Sequence, residues 1–330
     1  MKLGTSYFGN RIPSHVKQDM ESLVQKHFTY VVHTFSENDY HFYRDTMKEI
    51  VKISHDCGLE TYIDPWGVGK VFGGEAFSEF IASHPSTCQI LSDGKPAAIA
   101  CPNNPEFRKF MHVWIEAAVS TGTDYIFWDE PHFYFPSWMG GRPNTWGCHC
   151  EYCKKSFREK TGSALPEKET EDVKRFKHQS ILDFLQEMIN FAHGSGVKNS
   201  LCTLPGSVKE IALLEELASL DNLDNFGTDP YWYAAKKDVR EYVGEFSQKV
   251  NRVCQKTGRE GHVWIQGFKV PGGREEEILT AVEIAAKVGI RNLAVWGYDA
   301  CSFISCIAPD DPSKTWDIIC SAFASVKDLS

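Results

Sequence analysis

Short apolar runs alternate with longer amphipathic stretches along the whole chain. Eight of the runs read as strands: Leu3–Tyr7, Tyr30–Phe35, Thr61–Asp64, Tyr125–Asp129, Ser200–Leu204, Asn225–Asp229, Val263–Phe268 and Asn292–Tyr298. Each is short, rich in β-branched or aromatic residues, and continuous rather than alternating, as expected of parallel strands buried on both faces. The stretches between them predict helices over Ser14–His27, Asp39–Asp56, Pro105–Thr121, Asp172–His193, Ser207–Ser219, Lys236–Thr257, Arg274–Val288 and Pro312–Val326. Gly58, Gly122, Gly194, Gly258 and Gly289 fall where helices commonly end, and Ser207 with Glu210 fits a capping box.

Eight strands alternating with eight helices predict an α/β fold with a parallel sheet and helical crossovers. The expected architecture is a single (β/α)8 barrel over residues 1–330. The rival is a doubly wound open sheet, but no Gly-rich phosphate loop follows the first strand to favour it. Two insertions interrupt the beat: Trp66–Asn104 after the third strand and Pro131–Thr170 after the fourth, each with a short helix of its own. Both fall at the strand ends where barrels build their active sites.

Composition narrows the function. A formal charge of −9 over 330 residues disfavours a nucleic-acid partner. No apolar run approaches the ~18 residues that a membrane span needs. The segment Met1–Tyr7 lacks a signal peptide's apolar core, so a cytoplasmic location is expected. Oligomeric state is open, a homo-oligomer included. Of eleven cysteines, Cys57, Cys88, Cys202, Cys254, Cys301, Cys306 and Cys320 stand singly and read as reduced thiols. Cys148-His149-Cys150-Glu151-Tyr152-Cys153 stands apart from them.

Carboxylates and aromatics recur together at the strand ends. The second strand runs into His33 and Glu37, and the third ends Asp64-Pro65-Trp66. The fourth ends Trp128-Asp129-Glu130-Pro131-His132, and the sixth Asp229-Pro230-Tyr231-Trp232. The seventh carries Trp264-Ile265-Gln266, and the eighth Trp296-Gly297-Tyr298-Asp299. Charged groups in a barrel mouth are costly to desolvate without a task. The bland alternative is that each Asp caps the following helix. That explanation is weakest for Glu130, because Glu is a poor N-cap and loop follows it. Glycoside hydrolysis needs two carboxyl groups flanking the scissile bond, and aromatic walls to stack on sugar rings. Glu130, Asp129 and Asp229 are the candidate catalytic residues. Asp64, Trp66, His33, Tyr231, Trp232, Gln266, Trp296 and Asp299 are candidate contacts to a carbohydrate substrate, and Trp128 and Trp264 are further possible platforms.

Two segments carry a family resemblance. Asp129-Glu130-Pro131 after an apolar strand resembles the fourth-strand signature of the large (β/α)8 glycosidase clan, whose Glu is the general acid/base. Cys101-Pro-Asn-Asn-Pro-Glu-Phe-Arg and Cys148-His-Cys150-Glu-Tyr-Cys153-Lys-Lys-Ser-Phe-Arg resemble the zinc-binding segments of family-42 β-galactosidases. The resemblance spans roughly residues 100–160. Thr228-Asp229-Pro230-Tyr231 adds a weaker match to that family's sixth strand. The resemblance implies a structural zinc held by Cys101, Cys148, Cys150 and Cys153, with no organic cofactor. Four thiolates close a tetrahedral site, and closed sites are structural. At this length the chain is expected to be a compact relative without that family's further domains.

One position departs from the clan. Its nucleophilic Glu ends the seventh strand, where this chain has Gln266, and an amide cannot serve as a carboxylate nucleophile. Either Asp229, Asp64 or Asp299 supplies the second carboxylate, or a Glu-to-Gln substitution traps the enzyme, or the barrel binds without turnover. Asp229 is favoured. Two other functions stay in view. One is a metal-dependent sugar isomerase or epimerase drawing on His33, Asp64, Glu130, His132 and Asp229. The other is an inactive carbohydrate-binding barrel.

Overall fold

The computed structural model describes residues 1–136, 141–205 and 210–329. Its strands are β1 (Lys2–Tyr7), β2 (Tyr30–Thr34), β3 (Glu60–Asp64), β4 (Cys88–Ile90), β5 (Pro96–Ala100), β6 (Tyr125–Asp129), β7 (Lys198–Thr203), β8 (Asn225–Thr228), β9 (Glu260–Gln266) and β10 (Asn292–Trp296). Eight of them close a parallel barrel in the order β1-β10-β9-β8-β7-β6-β3-β2. These are the eight strands expected from the apolar runs, and the fold is a (β/α)8 barrel. The open sheet is excluded because β1 pairs with both β2 and β10. The sequence did not foretell β4 and β5, an antiparallel hairpin inside the first insertion.

Strand parity sorts the side chains into two layers. Tyr30, Val32, Tyr62, Tyr125, Phe127, Cys202, Trp264, Ala294 and Trp296 fill the barrel interior. Val31, Ile63, Ile126, Trp128, Leu201, Phe226, Val263, Ile265 and Val295 face the helices. Near the N-terminal ends of the strands, Tyr62 stacks on Tyr125 at 4.2 Å and Tyr30 leans on Tyr62 at 4.9 Å. Inward parity on β3 and β6 then delivers Asp64 and Asp129 to the opposite rim.

The helices follow the amphipathic stretches, with shifts that local chemistry explains. The stretch Asp39–Asp56 is two helices, Glu37–Phe42 and Arg44–Asp56, parted at Tyr43. A reciprocal capping box starts the first: Ser36 Oγ accepts from the Asp39 N–H, and the Asp39 carboxylate accepts from the Ser36 N–H. The helix expected from Lys236 is a single turn, Trp232–Ala235, followed by Val239–Thr257 behind an Asp238 cap. Gly258 and Gly289, at φ of +71° and +111°, close their helices in the left-handed conformation that glycine adopts without cost. The helix expected from Ser207 is Ile211–Ala218, and Ser207 itself lies outside the described residues. Among the described residues no helix is long and apolar enough to cross a membrane.

Candidate active site

The interior side chains end at the rim in a ring of acids. By parity Glu130 would follow Trp128 outward. A left-handed backbone (φ +44°) ends the strand there and turns its carboxyl to the mouth beside Asp229. Such a conformation costs a non-glycine residue on the order of 1 kcal/mol or more. It is held by the Glu130 N–H donating to Cys202 O at 3.0 Å and by His132 Nδ1 against Glu130 O at 2.6 Å.

Glu130, Asp129 and Asp229 line a cavity of about 400 Å3 together with Glu75, Phe127, Tyr231, Tyr242, Trp264, Phe268, Lys269 and Trp296. Asp64 lies beneath, fully buried, and among the described residues neither carboxylate oxygen has a hydrogen-bond partner. Burial is the largest force on Asp64, Asp129, Glu130 and Asp229. It pushes Asp64 well above the carboxylate range, with the charges of Asp129 and Glu130 adding to it. Asp129 is raised by burial and then by Glu130. Glu130 is raised by burial, then by the charge of Asp229 and by a hydrogen bond between the two carboxyls. Asp229 is pushed up to about 7 by burial, with that hydrogen bond and the Cys202 thiol pulling the other way. A protonated Glu130 facing an ionisable Asp229 is the arrangement that proton donation near neutrality requires.

The wall opposite is aromatic. Trp296 packs against Trp264 at 6.0 Å and Trp264 against Phe127 at 5.2 Å. Tyr231 meets Phe268 edge-on at 5.0 Å. Phe8 stacks between Trp296 and Trp66, at 5.2 and 5.6 Å. The loop after β3 closes one side of the cavity. Gly73 donates its N–H to Asp129 O at 3.1 Å, and a Cβ at this position would collide with the Asp129 carboxylate and lie 2.9 Å from Glu130 Oε2. Buried Glu37 anchors that loop, accepting from Gly69 N–H (2.8 Å), Ser78 Oγ (2.6 Å) and Phe80 N–H (2.6 Å).

Several expected contacts lie elsewhere. His33 has outward parity on β2 and meets Ser54 Oγ of the helix layer at 2.9 Å. Trp232 is buried outside the barrel, its indole N–H donating to Glu277 at 2.9 Å. Trp128 likewise points outward, to Asn199 at 3.0 Å. Asp299 sits in the turn after β10 and accepts from Ser302 Oγ at 2.6 Å. The Gln266 amide is committed to backbone: it accepts from Tyr233 N–H at 3.0 Å and donates to Phe268 O at 2.9 Å. Trp66 supports Phe8 and lies against Gly74. Sequence reasoning missed Glu75, Tyr242, Lys269 and the Gly73-Gly74 pair. Only the glycine doublet left a signal, as a place where backbone approaches another group closely.

Beside the mouth, Cys101, Cys148, Cys150 and Cys153 converge, their sulfurs all within 4.8 Å of one another. Cys101 lies 3.4 Å from Cys153 and 3.7 Å from Cys150. A tetrahedral ion with metal–sulfur bonds near 2.3 Å spaces its thiolates about 3.8 Å apart. This buried cluster could therefore hold a metal. Asn103 donates to Cys153 Sγ at 3.3 Å and to Ser180 at 3.0 Å, tying the knot to the helix Glu171–Gly194.

Fold and rim together define a (β/α)8 barrel with an acid-lined, aromatic-walled mouth. No family model and no curated protein matches the sequence. Solved structures do match. The catalytic domain of a β-amylase from Paenibacillus polymyxa superposes with a TM-score of 0.65 at 12% identity, covering 97% of this chain and 98% of that one. A β-galactosidase from Bacillus circulans sp. alkalophilus gives 0.61 at 11% identity, over 90% of this chain and 50% of that one. A 3-keto-D-glucoside 4-epimerase from E. coli gives 0.54 at 13% identity, over 99% of each chain. These likenesses establish the shared fold, a fold carried by sugar hydrolases and sugar epimerases alike.

Proposed function

We propose that this barrel is a glycoside hydrolase in which Glu130 is the general acid and Asp229 the second carboxylate. The observation that carries the reading is the convergence of two buried acids, Glu130 from the end of β6 and Asp229 from the end of β8, on one cavity walled by Trp264, Trp296 and Tyr231. Asp129, adjoining the pair, holds a sugar hydroxyl or orients Glu130. Gln266 is occupied by backbone, which leaves the nucleophile's part to a different strand end.

The metal-dependent epimerase is the competing function, because Asp64, Asp129, Glu130 and Asp229 are all oxygen ligands. Against it, the cysteines alone form a group of three or more candidate ligands within 4.8 Å among the described residues. We propose that the cysteine knot holds one zinc ion in a structural role, its four sulfurs leaving no open position.

Kinetics separate the roles. Glu130→Gln should fold normally and lose at least ~100-fold in kcat on glycosides with poor leaving groups, the usual scale of general acid catalysis. It should lose less on nitrophenyl glycosides, whose departure needs little protonation. Asp229→Asn should impair both kinds alike. Near-normal turnover of alkyl glycosides by Glu130→Gln would refute the assignment, and activity lost to a chelator and restored by Mn2+ would favour the epimerase.

A further inference from the structure

We infer that the ligand of this mouth carries a protonated amine, so that the substrate class is an amino sugar glycoside; the hydrolytic part of that statement rests on the function proposed above. The cavity is unbalanced in its hydrogen-bonding chemistry. Four carboxyl groups, Glu75, Asp129, Glu130 and Asp229, face it or its rim, with Asp64 below. Among the described residues lining it there is no arginine or histidine, and the one cation, Lys269, is exposed at the rim.

The imbalance reaches the most deeply buried atoms. Among the described residues neither oxygen of Asp64 nor Oδ1 of Asp229 has a partner, and Asp229 is 4% exposed. Trp264, 2% exposed and lining the cavity, has an indole N–H without a partner among the described residues. Buried acceptors without donors are costly, and natural sites complete them with ligand. A sugar hydroxyl brings a lone pair along with each hydrogen, whereas an ammonium brings three donors and no acceptor, and its charge draws these raised acids back to the ionised form in which they only accept. Trp296, Phe127 and Tyr231 line the same space, and aromatic rings attract a cation. The Trp264 N–H is left to meet a neutral ring or hydroxyl oxygen. A divalent ion answers the same charge less well. It needs several oxygens gathered at 2.0–2.6 Å, and these carboxyls are not so gathered.

The test is calorimetric titration of the intact protein with the methyl glycosides of glucose and galactose, both anomers. Each is compared with its 2-, 3-, 4- and 6-amino-deoxy analogues and with their N-acetyl forms. At least one amine should bind about tenfold or more tightly than its neutral parent and its N-acetyl form, the scale of a charged hydrogen bond in a buried site. Asp64→Asn, which keeps the side-chain volume, should shrink that preference markedly, with the thermal transition confirming a folded protein. Three results would overturn the inference. One is equal or weaker binding of every amine. Another is a preference left intact by both Asp64→Asn and Asp129→Asn. The third is saturable Mn2+ uptake that Asp64→Asn abolishes. Binding is read without turnover, so the two proposals fail separately. Hydrolysis of neutral nitrophenyl glycosides with no amine preference sinks this one alone. Amine binding with no turnover of any matching nitrophenyl glycoside sinks the hydrolase alone.

Discussion

Asp229 shows how a buried site acts on the stability of its fold. Its folded-state pKa of about 7 lies above the ordinary value of 3.8, so the folded state favours the protonated form. The stabilisation is complete below about pH 4 and is lost as pH rises through 7, with an upper limit of about 4 kcal/mol. Asp229→Asn should therefore raise the melting temperature at pH 8 more than at pH 4, as scanning calorimetry at the two values would show. The same scale decides what the sequence could reveal. Asp64, Asp129, Glu130 and Asp229 were legible because acids rarely end apolar strands without cause. His33, Trp128 and Trp232 misled because strands buried on both faces show no alternation, so inward and outward positions look alike in sequence. Glu75 and Lys269 were invisible, lying in irregular loops whose path no local pattern dictates.

Among the elements, the hairpin of β4 and β5 and the segment around Cys148 depend on each other. Ser92 N–H donates to Trp146 O at 2.9 Å, His149 N–H to Ile90 O at 2.6 Å, and Cys101 follows β5 directly. The cysteine knot thus fastens the first insertion to the second. If zinc holds it, purified protein should contain about one zinc per chain by atomic emission, bound through sulfur near 2.3 Å. Cys150→Ser should lower the melting temperature far more than it lowers kcat of the protein that stays folded. Absence of metal from folded protein would refute this. Three of the cysteines stood out by their spacing and Cys101 joined them through the family resemblance, but the hairpin was not readable: its strands are three and five residues long, and Pro96 opens the second. The capping box at Ser36 and Asp39 was present in the sequence and passed over, since the amphipathic pattern runs across the break at Tyr43.

At the scale of the whole molecule, eight apolar runs with amphipathic helices between them sufficed for the barrel, because closing a parallel sheet is what such an alternation can do with both faces buried. Function was less legible, because sugar hydrolases and epimerases share this fold and differ in a few side chains at the rim. The tyrosines of β2, β3 and β6 add one more consequence. They plug the far end of the barrel, so the mouth is a dead end, with entrance and exit the same opening. Under the proposed hydrolase function, a released sugar must leave by the way the next substrate arrives, and should hold that doorway against it. Progress curves should bend early, and added free sugar should raise the apparent KM while leaving kcat untouched.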